Sequence, residues 1–284
     1  MPLNAPLANL ETGVMFWAGR EPAETLAEVH DLGLRCGQLG LPGDLDLSCA
    51  PAWKAALRAS DFMVYTVFAG YNGESYADIP TVQRTVGFVP SEFRAEREQR
   101  TYAVSDFAKA IGACSIALHI GCVPDDDSDE SYVAVREMVR RVADYAANNG
   151  QTFALETGQE TAEALLSFLI DVNRENVGIN FDPANMILYG TGDPIEGLGV
   201  LAQHILSVHC KDGDWPPEGQ PDALGQERPL GSGAVGIERY LHALKRIGYT
   251  GPLAIEREAD NPAERLRDLK AGIALLDRLK HSLA

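Results

Sequence analysis

Residues 151–182 read QTFALETGQETAEALLSFLIDVNRENVGINFD. In Thr152–Thr157, Phe153 and Leu155 alternate with Ala154 and Glu156, as side chains do on the two faces of a strand. Thr161–Val172 follows with helical spacing of its apolar residues. A second strand-like run then sets Val177, Ile179 and Phe181 against Gly178, Asn180 and Asp182. Strand, helix and strand in this order make a unit whose two strands run parallel.

The alternation extends outward in both directions. Strand-like runs occupy Gly13–Ala18, Cys36–Leu41, Phe62–Gly70, Ser115–Gly121, Thr152–Thr157, Val177–Met186, Ile205–Asp212 and Pro252–Glu258. Helical segments lie near Pro22–Leu32, Pro51–Ser60, Ser91–Ile111, Asp129–Asn149, Thr161–Val172, Asp193–Gln203, Ile237–Ile247 and Pro262–Lys280. Pro22, Pro194 and Pro262 fall in first turns, and Gly33, Gly150 and Gly248 just past helix ends. Eight such units in 284 residues predict one α/β fold, a single (β/α)8 TIM barrel with parallel strands. An open doubly wound sheet is the alternative. No internal repeat, low-complexity tract or linker divides the chain, so residues 1–284 read as a single domain.

Composition narrows the function. Lys+Arg number 24 against 41 Asp+Glu, a formal net charge of −17. That balance argues against nucleic acid, which is bound through clustered Lys and Arg, and against an anionic membrane surface. No stretch approaches the ~20 apolar residues of a membrane span. The N-terminal MPLNAPLANLETG has neither a basic region nor a long apolar one, so no signal peptide is expected. Five cysteines without a CxxC pair suit a reducing compartment, and a cytoplasmic protein is expected.

Two connections are longer than plain turns. Tyr71–Pro90 carries Tyr71, Tyr76 and Phe88; Gly213–Gly236 is rich in Gly and Pro and carries Trp215. Both follow strands, which places them on the catalytic face of a barrel. The aromatic residues of the first, if exposed, hint at a homodimer or homotetramer.

The last four strands reveal which phase faces inward. Leu206, Val208 and Cys210 oppose Ser207, His209 and Lys211; Leu253 and Ile255 oppose Ala254, Glu256 and Glu258. With the bulky phase under the outer helices, the small and polar phase points into the barrel. It delivers Glu156, Asp182, His209 and Glu256 to one mouth, and Ser115–Gly121 adds His119 by the same logic. One such carboxylate alone would be an ordinary solvated strand end. Three crowded together raise one another's pKa unless a cation neutralises them. With one imidazole they suit Mn²⁺, Mg²⁺, Co²⁺ or Zn²⁺.

ALET at Glu156, NFDPANMILYG at Asp182, SVHCKD at His209 and PLAIERE at Glu256 resemble the xylose isomerase-like TIM-barrel superfamily, and within it the sugar isomerase/epimerase branch. The resemblance implies one divalent metal ion, Mn²⁺ foremost, held by Glu156, Asp182, His209 and Glu256. It also implies that Glu156 and Glu256 are the catalytic acid/base pair, moving a proton next to the carbonyl of a sugar or keto-sugar. Substrate contacts are expected from His119, Asn185, Lys211, Arg257 and Trp215. Ketose 3-epimerases of this branch carry a histidine where this chain has Asn185 and an arginine where it has Trp215, which departs from free-ketose 3-epimerisation. The few basic residues near the mouth, Lys211, Arg257 and Arg20, favour an unphosphorylated substrate.

Rival readings share the scaffold. A lyase or dehydratase begins with the same proton removal. An endonuclease IV-like DNA-repair enzyme needs several zinc ions, more histidines and a basic groove. A non-catalytic sugar-binding barrel has no need of two flanking glutamates. Gly231–Gly236, GSGAVG, matches GxGxxG without following a strand, so it reads as a turn rather than a phosphate cradle.

Overall fold

The structure, a computed structural model, describes residues 7–282. Of the N-terminal stretch read above, residues 1–6 lie outside that range. In chain order the elements are β1 (Thr12–Trp17), α1 (Pro22–His30), β2 (Cys36–Leu41), α2 (Ala50–Ser60), β3 (Met63–Ala69), α3 (Ile79–Thr85) and α4 (Arg94–Ile111). Then come β4 (Ser115–Leu118), α5 (Glu130–Asn148), β5 (Thr152–Glu156), α6 (Ala162–Val172), β6 (Val177–Phe181), α7 (Pro183–Tyr189) and α8 (Pro194–Leu201). The chain finishes with β7 (Ile205–Cys210), β8 (Asp212–Asp214), β9 (Gln226–Arg228), α9 (Ile237–Ile247), β10 (Leu253–Ile255) and α10 (Pro262–Ser282).

Strands β1 to β7 and β10 close into a barrel, each beside its sequence neighbour and β10 against β1 and β7. All eight pairings are parallel. The fold is therefore a single (β/α)8 TIM barrel. The outward phase of the strands, including Leu39, Val67, Phe153, Leu155, Ile179, Phe181 and Val208, packs in the main core beneath the helices. Met15, Phe68, Ala117 and Ala154 form a separate small cluster on the inward phase. No described helix is long and apolar enough to cross a membrane.

The structure departs from the sequence expectations where polar side chains stop elements. The strand expected over Val177–Met186 ends at Phe181. Asp182 caps α7 by accepting from Ala184 N (2.8 Å) and Asn185 N (3.0 Å), with Pro183 in the first turn. The segment Tyr71–Pro90 contains α3, capped by Asp78 through Thr81 N at 2.7 Å. Of its aromatics, Tyr71 and Phe88 are buried within the chain, so they offer no outer surface; Tyr76 is 42% exposed. Arg97 fixes this segment from below, donating to Thr85 O (2.7 Å) and Gly87 O while lying over the Tyr71 ring.

The segment Gly213–Gly236 begins and continues as the antiparallel pair β8–β9. Its organising group is Asp212. The Oδ1 atom accepts from Gly213 N (3.0 Å) and Val235 N (3.1 Å), and Oδ2 from Gly231 N (2.9 Å) and Gly233 N (3.0 Å). A Cβ on Gly233 would come within 2.4 Å of Asp212 Oδ1, so only glycine fits. The GSGAVG segment thus folds around an internal carboxylate, and the anion its N–H groups cradle belongs to the chain itself. Asp212→Ala leaves these donors unpaired; we expect a loss of roughly 3 kcal/mol in denaturant unfolding and faster proteolytic cleavage within residues 213–236.

Candidate metal centre

Each inward side chain of the last four strands reaches the C-terminal mouth. Glu156, Asp182, His209 and Glu256 are buried, and one ligand atom from each lies within 4.8 Å of all the others. Among the described residues, no second group of this kind converges.

The His209 ring organises the cluster. Its Nδ1 lies 2.9 Å from Glu156 Oε1, 2.9 Å from Glu256 Oε2 and 3.3 Å from Asp182 Oδ2. Its Nε2 lies 2.5 Å from Gln38 Oε1. Gln38 Nε2 donates to Asn180 Oδ1 (3.0 Å), which also accepts from Ser207 Oγ (2.5 Å). With the Gln38 amide so oriented, its oxygen faces His209, and Nε2 carries the hydrogen. Nδ1 is then the nitrogen turned to the carboxylates, and loss of its proton would present the lone pair that a metal-binding imidazole needs. Phe68 stacks against the other side of the cluster, 5.5 Å from the ring centroid of His209.

The carboxylates divide their oxygens. Asp182 Oδ1 is committed to the α7 cap, leaving Oδ2 for the cluster. Glu156 Oε1 takes His209 and a 3.4 Å contact from Asn185 Nδ2, and its Oε2 pairs with His119 Nε2 at 2.9 Å. Glu256 Oε2 is buried without a hydrogen bond among the described residues, facing only His209 Nδ1 and Lys211 Nζ (3.3 Å). One N–H cannot serve three carboxylate oxygens, so the donor set has more acceptors than hydrogens. A divalent cation held among the four groups would match that imbalance.

Protonation follows the same crowding. Burial alone would lower the His209 imidazolium, but Glu256 and Glu156 overcome it and hold the ring well above its usual range. His119 is likewise opposed by burial and raised by Glu156, to about 9. Glu156, disfavoured as an anion by burial, is kept far below the ordinary carboxylate range by His119 and His209. Burial would also lower the Lys211 ammonium; Glu256, Glu258 and Asp182 raise it instead.

Of the expected substrate contacts, His119, Asn185 and Lys211 border the cluster. Arg257 turns away: its guanidinium is tied to Glu227 (3.2 Å), Asp268 (3.1 Å) and Glu264 (3.8 Å). Trp215 stands 45% exposed beyond the mouth. Sequence reasoning missed Gln38, since a lone amide between glycines in CGQLGL carries no titratable signal. The one clue was its phase, shared with Gly40 on the inward face of β2. Tyr76, expected on a catalytic-face loop but given no contact there, has its ring 5.5 Å from that of His119.

Comparison with known proteins agrees with this architecture. The family model described as xylose isomerase-like TIM barrel matches residues 26–279. A xylose isomerase domain protein from Planctomyces limnophilus superposes with a TM-score of 0.91 at 44% identity, covering 96% of this chain and 98% of that one. A xylose isomerase-like protein from Mycobacterium smegmatis, solved in complex with magnesium, shares the fold at a TM-score of 0.71 and 17% identity over 99% and 100% of the chains. A ketose 3-epimerase from Arthrobacter globiformis is 28% identical over 149 residues, 52% of this chain and 43% of that protein. The alignments to such curated relatives span about half the length of each. The family model covers most of the chain, and the chain belongs to the xylose isomerase-like TIM-barrel family.

Proposed function

We propose that this protein is a divalent-metal-dependent isomerase or epimerase of an unphosphorylated sugar or keto-sugar. The observation that carries the reading is the convergence of Glu156, Asp182, His209 and Glu256 at the catalytic mouth. The similarity to a ketose 3-epimerase and the magnesium bound by the Mycobacterium smegmatis protein support it.

An ion on these four groups supplies polarisation of a carbonyl and its neighbouring hydroxyl, which favours loss of the intervening C–H proton. Mn²⁺ is the ion expected first, with Mg²⁺, Co²⁺ and Zn²⁺ compatible with the donor set. The proton moves between carbon and the two glutamates. Glu156 ends β5 and Glu256 directly follows β10, with β6 and β7 between them in the barrel, so they would reach the substrate from different sides. Return of the proton to the opposite face inverts a centre; return to the adjacent carbon exchanges aldose and ketose. His119 holds Glu156 from the side away from His209 and fixes which oxygen faces substrate. Asn185 and Lys211 would hydrogen-bond sugar oxygens. Arg257, bound to three carboxylates, and Lys211, paired with Glu256 and Glu258, leave little to receive a phosphate. Trp215 would meet the substrate only at the outer rim.

An endonuclease reading lacks support, because the described residues offer a single metal-sized cluster with one histidine in it. Elemental analysis tests the reading directly: about one equivalent of divalent ion is expected, lost in His209→Ala. No ion after dialysis against Mn²⁺ would refute it. With metal present, Glu156→Gln should reduce exchange of substrate hydrogen with solvent deuterium by about 10²–10⁴-fold, with product of unchanged mass from the parent enzyme. Gln38→Leu removes the group that orients His209; titration calorimetry should read a roughly 10–100-fold weaker affinity for Mn²⁺, with the folded far-ultraviolet spectrum retained.

A further inference from the structure

Glu256 is held differently from the other three members of the cluster. Glu156 ends β5, His209 lies within β7 and Asp182 caps α7. Glu256 follows β10, which at three residues is the shortest strand of the barrel, and residues 256–261 form neither strand nor helix before α10 begins. Its backbone N–H donates to Cys210 O at 3.2 Å. Even so, its Oε2 is placed as closely as Glu156 Oε1, each 2.9 Å from His209 Nδ1.

Further restraint on this segment comes from another part of the chain. Glu227, on β9, reaches the residues directly after Glu256: its Oε1 and Oε2 accept from Glu258 N at 3.0 and 3.2 Å. Oε1 also lies 3.2 Å from Arg257 Nη1. The same guanidinium donates from Nε to Asp268 Oδ2, on α10, at 3.1 Å. The side chains of Glu227 and Arg257 are only 14% and 11% exposed, so water screens this grip weakly.

Glu227 has a fixed footing of its own. It pairs across the hairpin with Gly213, whose N–H is one of those gathered by the Asp212 carboxylate. It contributes no atom to the candidate metal cluster. Its contacts fall one and two residues after Glu256, where a displacement of about 1 Å would carry the carboxylate away from a productive position. Outer groups that orient a ligand in this way are commonly worth about 10–100-fold in metal affinity.

We propose that Glu227 is a positioning residue for Glu256: by holding Glu258 N and the Arg257 guanidinium, it fixes the direction from which the Glu256 carboxylate enters the cluster. The inference rests on the reading of Glu156, Asp182, His209 and Glu256 as metal ligands. It makes the β8–β9 hairpin part of the framework of that centre, although the hairpin supplies no ligand.

Titration of the full chain with Co²⁺, followed by calorimetry and by the visible absorption of the bound ion, tests it. The parent protein is expected to take up about one equivalent. Glu227→Leu removes the acceptor, so affinity should fall roughly 10–100-fold, and the absorption band should change as one carboxylate moves away from the ion. Asp214→Ala breaks the 2.6 Å Asp214–Arg228 ion pair of the same hairpin without removing a contact to residues 256–258. It should leave affinity and spectrum as in the parent. Should Glu227→Leu lose its folded far-ultraviolet spectrum, Glu227→Gln, which keeps one acceptor and gives up the charge, carries the same expectation at roughly threefold or more. Parent affinity and spectrum in the Glu227 variant overturn the proposal. So does an equal loss in Asp214→Ala, which describes a loosened hairpin. Both results presuppose a parent that binds Co²⁺; a parent that binds none overturns the functional reading, and the proposal falls with it.

Discussion

The imidazole of His209 is held from both ends, and the site depends on that restraint. Gln38 accepts from one ring nitrogen at 2.5 Å, and three carboxylate oxygens surround the other. If the ring turned, the acceptors at the ends of β5, β6 and β10 would face one another with no cation between them. Gln38 is fixed in turn through Asn180 and Ser207, so strands on opposite sides of the barrel share one hydrogen-bonded layer. Closure of the sheet and chemistry at its mouth rest on the same few polar side chains. This is why the barrel tolerates them at complete burial: each donates to or accepts from another member of the layer.

Much of this was legible in the sequence because strand period and side-chain size speak together. On β5, β6, β7 and β10 the bulky phase is unbroken, so the other phase identifies itself, and Glu156, Asp182, His209 and Glu256 emerge without reference to any relative. The parallel barrel followed from repeated strand–helix alternation. What remained hidden is instructive. Asp182 ends a strand by capping α7, a role that periodicity cannot separate from a further strand residue. Asp212 gathers four N–H groups from residues one to 23 positions away, and a loop wound on an internal carboxylate has no local pattern. Gln38 belongs to the candidate metal centre only through a contact 171 residues distant in sequence. Arg257 was placed at the mouth by proximity to Glu256, whereas successive strand residues point to opposite faces, and the guanidinium went to the acidic neighbours outside.

The overall charge of −17 takes on meaning from where it is neutralised. At the mouth, His119, His209 and Lys211 balance the inward carboxylates, and on the outer face Arg136, Arg140 and Arg257 pair with theirs.

The segments that rise above the mouth on β3 and β7 meet at one backbone hydrogen bond, Ile79 N to Asp222 O at 3.0 Å. Each is anchored separately at its root, one on Arg97 and the other on Asp212, so this bond joins two arches at their crowns. Neither arch can lift without breaking the junction, and breaking it releases both. An opening over the candidate metal centre would then involve both segments together rather than either one alone. Amide exchange at Ile79 would report the frequency of that opening for the whole entrance.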